Sequence, residues 1–175
     1  MTGLDSGGGD GYLSSNVEPS RWDWKNFAQD YDQVRRGTAG QQRWSCGNSR
    51  SIEPGSRFFL IRLGSQPKGI IATGQIVSPP YEDIHWDWKR QKRGESCWFV
   101  RIEFRLLSQD PLIGWDDLQQ PGLKGFPWGS QSSGIQIRSP YVEQLEKMWD
   151  QVNEQVRVGS EFMNKYRGTF RALSK

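Results

Sequence analysis

Apolar positions recur every two residues in some stretches of the chain and every three to four in others, and the switches between these spacings divide it into elements. "GYLSSN" at 11–16 reads as a short strand. Trp24, Phe27, Ala28, Tyr31 and Val34 then follow helical spacing up to Gly37, and Ser20 with Asp23 three residues on resembles a capping box, so a helix beginning near Ser20 is predicted. "RWSCGNSRSI" at 43–52 reads as a loop, polar except for its tryptophan. A Pro-Gly turn precedes a strand over Arg57–Leu63, and "QPKGIIATGQIV" supplies the second arm of a hairpin, with Gly69 and Gly74 at a bend or bulge. Residues 78–96 form a long polar, aromatic and basic connection without periodicity. "CWFVRIEFRLL" at 97–107 alternates Trp98, Val100, Ile102 and Phe104 with Phe99, Arg101, Glu103 and Arg105, a half-buried strand.

Asp116 and Asp117 mark one short helical turn, residues 135–137 a last strand, and Ser139–Pro140 the start of a helix carrying Val142, Leu145, Met148, Trp149, Val152 and Val156 on one face. Beyond Gly159, the spacing of Phe162, Tyr166 and Phe170 fits either a helix or a strap. Strands joined by hairpins with a few helices between them predict an α+β domain around a mainly antiparallel, closable sheet. The organisation expected is a flexible Gly-rich tail over 1–10, one domain over 11–158 and an extension or linker over 159–175.

Composition sharpens this picture. The chain of 175 residues is only 34% hydrophobic, yet 13% is aromatic and nine residues are Trp, so its apolar surface is concentrated in large rings that can pack or stack. A net charge of +3 is compatible with an anionic partner without identifying one. Two cysteines far apart and a single histidine make neither a zinc site nor, without a sign of secretion, an expected disulfide. With no leader and no long apolar run, the chain reads as a soluble, cytoplasmic protein without membrane contact. There is no phosphate-binding Gly loop, and a nucleophilic Cys46 or Cys97 would have only His85 as partner, a residue better read as polar in an exposed loop. No catalysis, metal or cofactor is expected.

Trp44, Trp86, Trp88 and Trp128 stand in loop-like segments beside small polar residues, and Lys89, Arg90, Lys92 and Arg93 follow two of them. Any one of these tryptophans, taken alone, is best read as a barrel plug, and the charge run alone as a solvated loop. Together they fit nucleic acid, since aromatic planes stack on bases while basic side chains hold phosphates.

The ordered succession "YLSSNVEPSRWDW", "RWSCGNSRSIEPGSRFFLIRLGSQPKGIIATGQIV", "HW", "WFVRIEF", "WGSQSSGIQI" and "LEKMW" resembles the EVE domain of the PUA-like superfamily, to which the YTH domain is related. The likeness covers roughly residues 12–150 and is nearest to the EVE-type recognition domain of HNH-linked, modification-dependent restriction endonucleases. It implies a small twisted PUA-like β-barrel flanked by helices that reads a modified base in an aromatic cage. Trp44 matches one wall and Trp86 the other, with Trp88 a rival for the second; Ser15, Asn16 and Ser45 match polar positions at the base edge, and Trp128 to Gly134 a loop closing the site. The implied partner is double-stranded DNA with methylated or hydroxymethylated cytosine, bound by base flipping, with Lys89, Arg90, Lys92 and Arg93 on phosphates and a nuclease on another domain or subunit of a bacterial restriction system. RNA or N6-methyladenine is the alternative ligand, and a protein-interaction module with no nucleic-acid role the alternative class.

Overall fold

The segment "RFFLIR" is apolar on both sides of the pleat, as a strand covered on both faces must be, and it lies at the centre of the molecule. The computed structural model describes residues 12–17, 24, 26–64, 66–130 and 132–173, and for 12–17, 160 and 162–173 the backbone only. Strands β1 (Tyr12–Val17), β2 (Gln42–Gly47), β3 (Arg57–Arg62), β4 (Gly69–Ile76), β5 (Tyr81–Ile84), β6 (Ser96–Leu107), β7 (Ile113–Gly114) and β8 (Ile135–Ile137) form one curled sheet. Its main path runs β2-β6-β4-β3-β1-β8, with β5 added to β6 and β7 to β4. All pairings are antiparallel except β1 with β3. Helices α1 (Phe27–Arg36), α2 (Trp88–Gln91), α3 (Trp115–Leu118) and α4 (Tyr141–Leu173) complete the fold, a mixed α+β half-barrel flanked by helices.

Alternation along β3 divides the core. Phe58 and Leu60 enter one cluster with Trp44, Ile71, Val100, Ile102 and Phe104, against which Trp24 and the Phe27, Tyr31 and Val34 face of α1 pack. Phe59 and Ile61 enter a second with Ile70, Leu118, Trp128, Leu145 and Trp149. Each large side chain so buried contributes about 1.5–3 kcal/mol. Arg57 fastens α4 to the sheet: its Nη1 donates to both Glu146 carboxylate oxygens at 2.8 and 2.6 Å, its Nε to Thr73 Oγ1 at 3.1 Å, and its guanidinium lies over Trp149.

Several expectations need correction. The first helix begins at Phe27 with Asn26 as its cap residue, because the Trp24 ring turns onto Phe104 and its indole donates to Asp30 at 2.6 Å; Ser20 and Asp23 lie outside the described residues, as does the expected 1–10 tail. Residues 42–47 are a strand rather than a loop, paired with 98–102 of β6 across a bulge at Ser45/Gly47. The 78–96 connection holds β5 and α2. On β6, Phe99 is buried despite its place on the polar face, since the Arg43 guanidinium covers its ring at 4.3 Å. α4 continues through Gly159 to Leu173, resolving the helix-or-strap alternative as helix. The expected bulge at Gly74 is present; a Cβ there would run into the Glu103 carbonyl on β6. Both cysteines are free, and among the described residues no helix is long and apolar enough to cross a membrane.

Candidate nucleic-acid interface

β5 and β6 form a hairpin whose tip, residues 85–95, is held by its own polar groups. His85 N donates to Glu95 O at 3.2 Å, and Asp87 caps α2 by accepting from Lys89 N at 2.9 Å. His85, expected in an exposed loop, is buried: its Nδ1 accepts from Asp87 N at 2.9 Å and its ring lies 5.3 Å from that of Trp86. Glu95 receives Arg90 Nε and Arg93 Nε, each at 2.6 Å. These two bonds, Arg93's first, hold the Glu95 carboxyl below the ordinary carboxylate range. At the base of the hairpin Asp83 is lowered likewise, by the Ile84 amide and then by Arg43, whose Nη1 lies 2.7 Å from it.

The tip presents Ile84, Trp86 and Trp88 to solvent, 54%, 51% and 59% exposed. Exposed aromatic rings on a braced turn are available for stacking. Lys92 Nζ and Lys89 Nζ lie 4.7 and 5.8 Å from the Trp88 ring centroid, placing two ammonium groups beside an open aromatic face. Of the four expected phosphate ligands, Lys89 and Lys92 thus stand beside Trp88, while Arg90 and Arg93 share the single carboxylate of Glu95, which offsets one of their two charges.

Two expected cage residues are structural. Trp44, on β2, is 6% exposed and meets Trp24 and Phe104 edge-on at 5.6 and 6.1 Å. It offers no open face, because alternation on β2 turns it into the core beside Val100. Trp128 is 2% exposed, with its Nε1 donating to Leu123 O at 2.9 Å, and it plugs the second core cluster. Ser45 is half-buried and accepts from Gly47 N at 3.4 Å. Ser15 and Asn16 pair by backbone with Leu60 and Ile61 of β3.

The structure does join two quoted motifs. Gly47 and Gly134, at φ 57° and 76°, interlock so closely that a Cβ on the first would strike the Ser133 carbonyl and one on the second the Cys46 carbonyl. Ser49 Oγ donates to Gly134 O, so the end of β2 meets the approach to β8, the two extremes of the sheet path. Beside this junction Trp98, opposite Gly47 in the β2–β6 register, carries the Arg50 guanidinium 3.8 Å above its ring, and Arg50 Nη1 donates to Gly47 O at 3.2 Å. Trp98 and Arg50 were not among the expected site residues: alternation alone assigns Trp98 to the core, and the bulge that brings it to Gly47 has no sequence signature. Burial raises the Cys46 thiol, so it is a poor nucleophile. Among the described residues no group of His, Cys, Asp or Glu is placed to hold a metal ion.

No family model and no curated protein matches the chain. Solved structures do. Protein PSPTO5229 from Pseudomonas syringae is similar at 20% identity and a TM-score of 0.54, over 78% of this chain and 98% of that one. A Pseudomonas putida protein is similar at 16% identity and a TM-score of 0.55, with the same coverage of 78% and 98%. Human THYN1, solved in complex with DNA containing 5-methylcytosine, is similar at 14% identity and a TM-score of 0.54, over 78% of this chain and 95% of that one. The chain therefore shares the fold of these proteins.

Proposed function

We propose that this chain is a non-enzymatic reader of modified bases, binding duplex DNA that carries methylated or hydroxymethylated cytosine as the recognition module of a modification-dependent restriction system. The observation that carries the reading is the pair of exposed residues Trp86 and Trp88 on a braced hairpin, with Lys89 and Lys92 against the Trp88 ring. A fold shared with THYN1, which binds 5-methylcytosine DNA, supports the choice of ligand.

Extruding a base costs a few kcal/mol, and stacking on one aromatic plane returns about 1–3 kcal/mol. Two rings at the tip therefore roughly offset the flip, and the lysines supply phosphate attraction, which is shared by all sequences. Trp98 offers a further plane once Arg50 leaves it for a phosphate. Trp44 and Trp128 hold the frame instead of forming the walls. The added methyl of 5-methylcytosine contributes only about 0.8 kcal/mol by area. Larger selectivity requires polar groups at the base edge, for which the chain offers Ser15, Asn16 and Ser45. Titration of matched duplexes with one cytosine unmodified, methylated or hydroxymethylated tests the reading: tighter binding of a modified duplex supports it, and equal binding of all three overturns it. Preference for RNA or for N6-methyladenine would move the ligand assignment.

A further inference from the structure

The register of the β5–β6 hairpin sorts its side chains onto two faces. One face is closed: Phe99 is buried beneath the Arg43 guanidinium, which also pairs with Asp83. The other carries Trp98 with Glu82 directly opposite it and, about 7 Å nearer the tip, Ile84 opposite Ser96. Here the first core cluster runs out to solvent, for Trp98 packs against that cluster while Glu82 and Ile84 are exposed. The Arg50 guanidinium covers the Trp98 ring at 3.8 Å, in van der Waals contact. Arg50 is itself exposed and held by one long bond, from Nη1 to Gly47 O at 3.2 Å. Glu82 accepts from Ser96 Oγ. Among the described residues neither Arg50 nor Glu82 forms an ion pair, so a cation and a carboxylate flank one indole without meeting.

We infer that Trp98 and Glu82 form the slot that receives the extruded base and reads its 4-amino group, with Arg50 as a displaceable cover. The inference rests on the base-reading proposal and names the polar partner that proposal needs. A base taking the place of the guanidinium stacks on Trp98, and the released Arg50 is free to meet a phosphate. Residues directly opposite across two strands have Cβ atoms about 5 Å apart, which brings the Glu82 carboxylate to the rim of whatever lies on Trp98. A carboxylate accepts from the 4-amino group of cytosine, whereas thymine presents a carbonyl oxygen there and is repelled. 5-Methylcytosine and thymine carry the same methyl, so an apolar wall cannot separate them. Glu82 can.

Fluorescence titration tests this with duplexes whose target base, cytosine, 5-methylcytosine or thymine, faces an abasic site, so that no pairing opposes extrusion. The wild type is expected to prefer 5-methylcytosine over thymine by roughly tenfold, and over cytosine by about fourfold. Glu82→Gln keeps an acceptor for Ser96 and should fold as the wild type does. Losing a negative charge should tighten its binding to all three duplexes, but its 5-methylcytosine to thymine ratio should fall towards one. Trp98→Phe keeps a stacking plane and should retain the ratio; Trp98→Leu removes it and should weaken 5-methylcytosine binding roughly tenfold. Thermal melts accompany each variant, and if Trp98→Leu does not fold, the Glu82→Gln ratio alone decides. A wild type that prefers 5-methylcytosine over cytosine but not over thymine, or a ratio untouched by Glu82→Gln, overturns the slot and leaves the base-reading proposal standing. Equal binding of 5-methylcytosine and cytosine overturns both.

Discussion

Tryptophans with similar local sequence have opposite fates in this chain. Trp44 and Trp86 both sit among polar neighbours, yet one is 6% and the other 51% exposed. Trp44→Ala or Trp128→Ala is expected to cost about 3–5 kcal/mol of stability by opening a core cavity, and the latter also leaves the Leu123 carbonyl without its indole donor. Trp86→Ala and Trp88→Ala should leave the melting temperature nearly unchanged while each removes about 1–3 kcal/mol of DNA binding. A melt paired with a fluorescence titration separates the two pairs. Glu95 acts in the opposite direction, since its carboxylate pairs with both Arg90 and Arg93 and offsets one of their two charges. Glu95→Gln is expected to tighten DNA binding and to steepen the logarithmic salt slope by about 0.9, the increment for one further phosphate contact. Binding isotherms at several salt concentrations read this directly.

At the scale of elements, the hairpin carries the exposed rings and the glycine junction joins the two ends of the sheet path. The lowered Glu95 carboxyl gives the tip's order a definite pH dependence. Its stabilising contribution is complete above the ordinary carboxylate range and is lost as pH falls through the depressed folded value. Trp88 fluorescence, read in a variant lacking other exposed tryptophans, should therefore stay constant above that range and change only below it. At the junction, Gly134→Ala should destabilise the fold by more than the about 1–2 kcal/mol of left-handed strain, because the new Cβ also meets the Cys46 carbonyl. Denaturant unfolding measures it. The long elements were legible because β6 and α4 repeat their apolar period over enough residues to outweigh accidents, and β3 and β4 are continuous apolar runs bounded by turn residues. β5 and α2 span four residues each, too few for a period to register. β2 was hidden by its small polar residues, which belong to the bulge and the glycine interlock. The aromatic and basic tip was legible as chemistry, but its partition was not. Which rings face water depends on the strand pleat, and which arginines are neutralised depends on a glutamate folded back over the turn.

At the scale of the whole molecule, the exposed large apolar side chains among the described residues fall in two places, the end of the β5–β6 hairpin and α4 beyond its docking on the sheet. The first gathers rings and lysines suited to a polyanion with flat bases. The central claim, however, is that the tip reads the base and not merely the backbone. Competition among otherwise identical duplexes bearing cytosine, 5-methylcytosine, 5-hydroxymethylcytosine or N6-methyladenine, run with the wild type and with Trp86→Ala, tests it most directly. The account expects a modified-cytosine duplex to win with the wild type and its advantage to shrink in Trp86→Ala, while binding to unmodified DNA falls less. Equal affinity for all four duplexes in the wild type would contradict it.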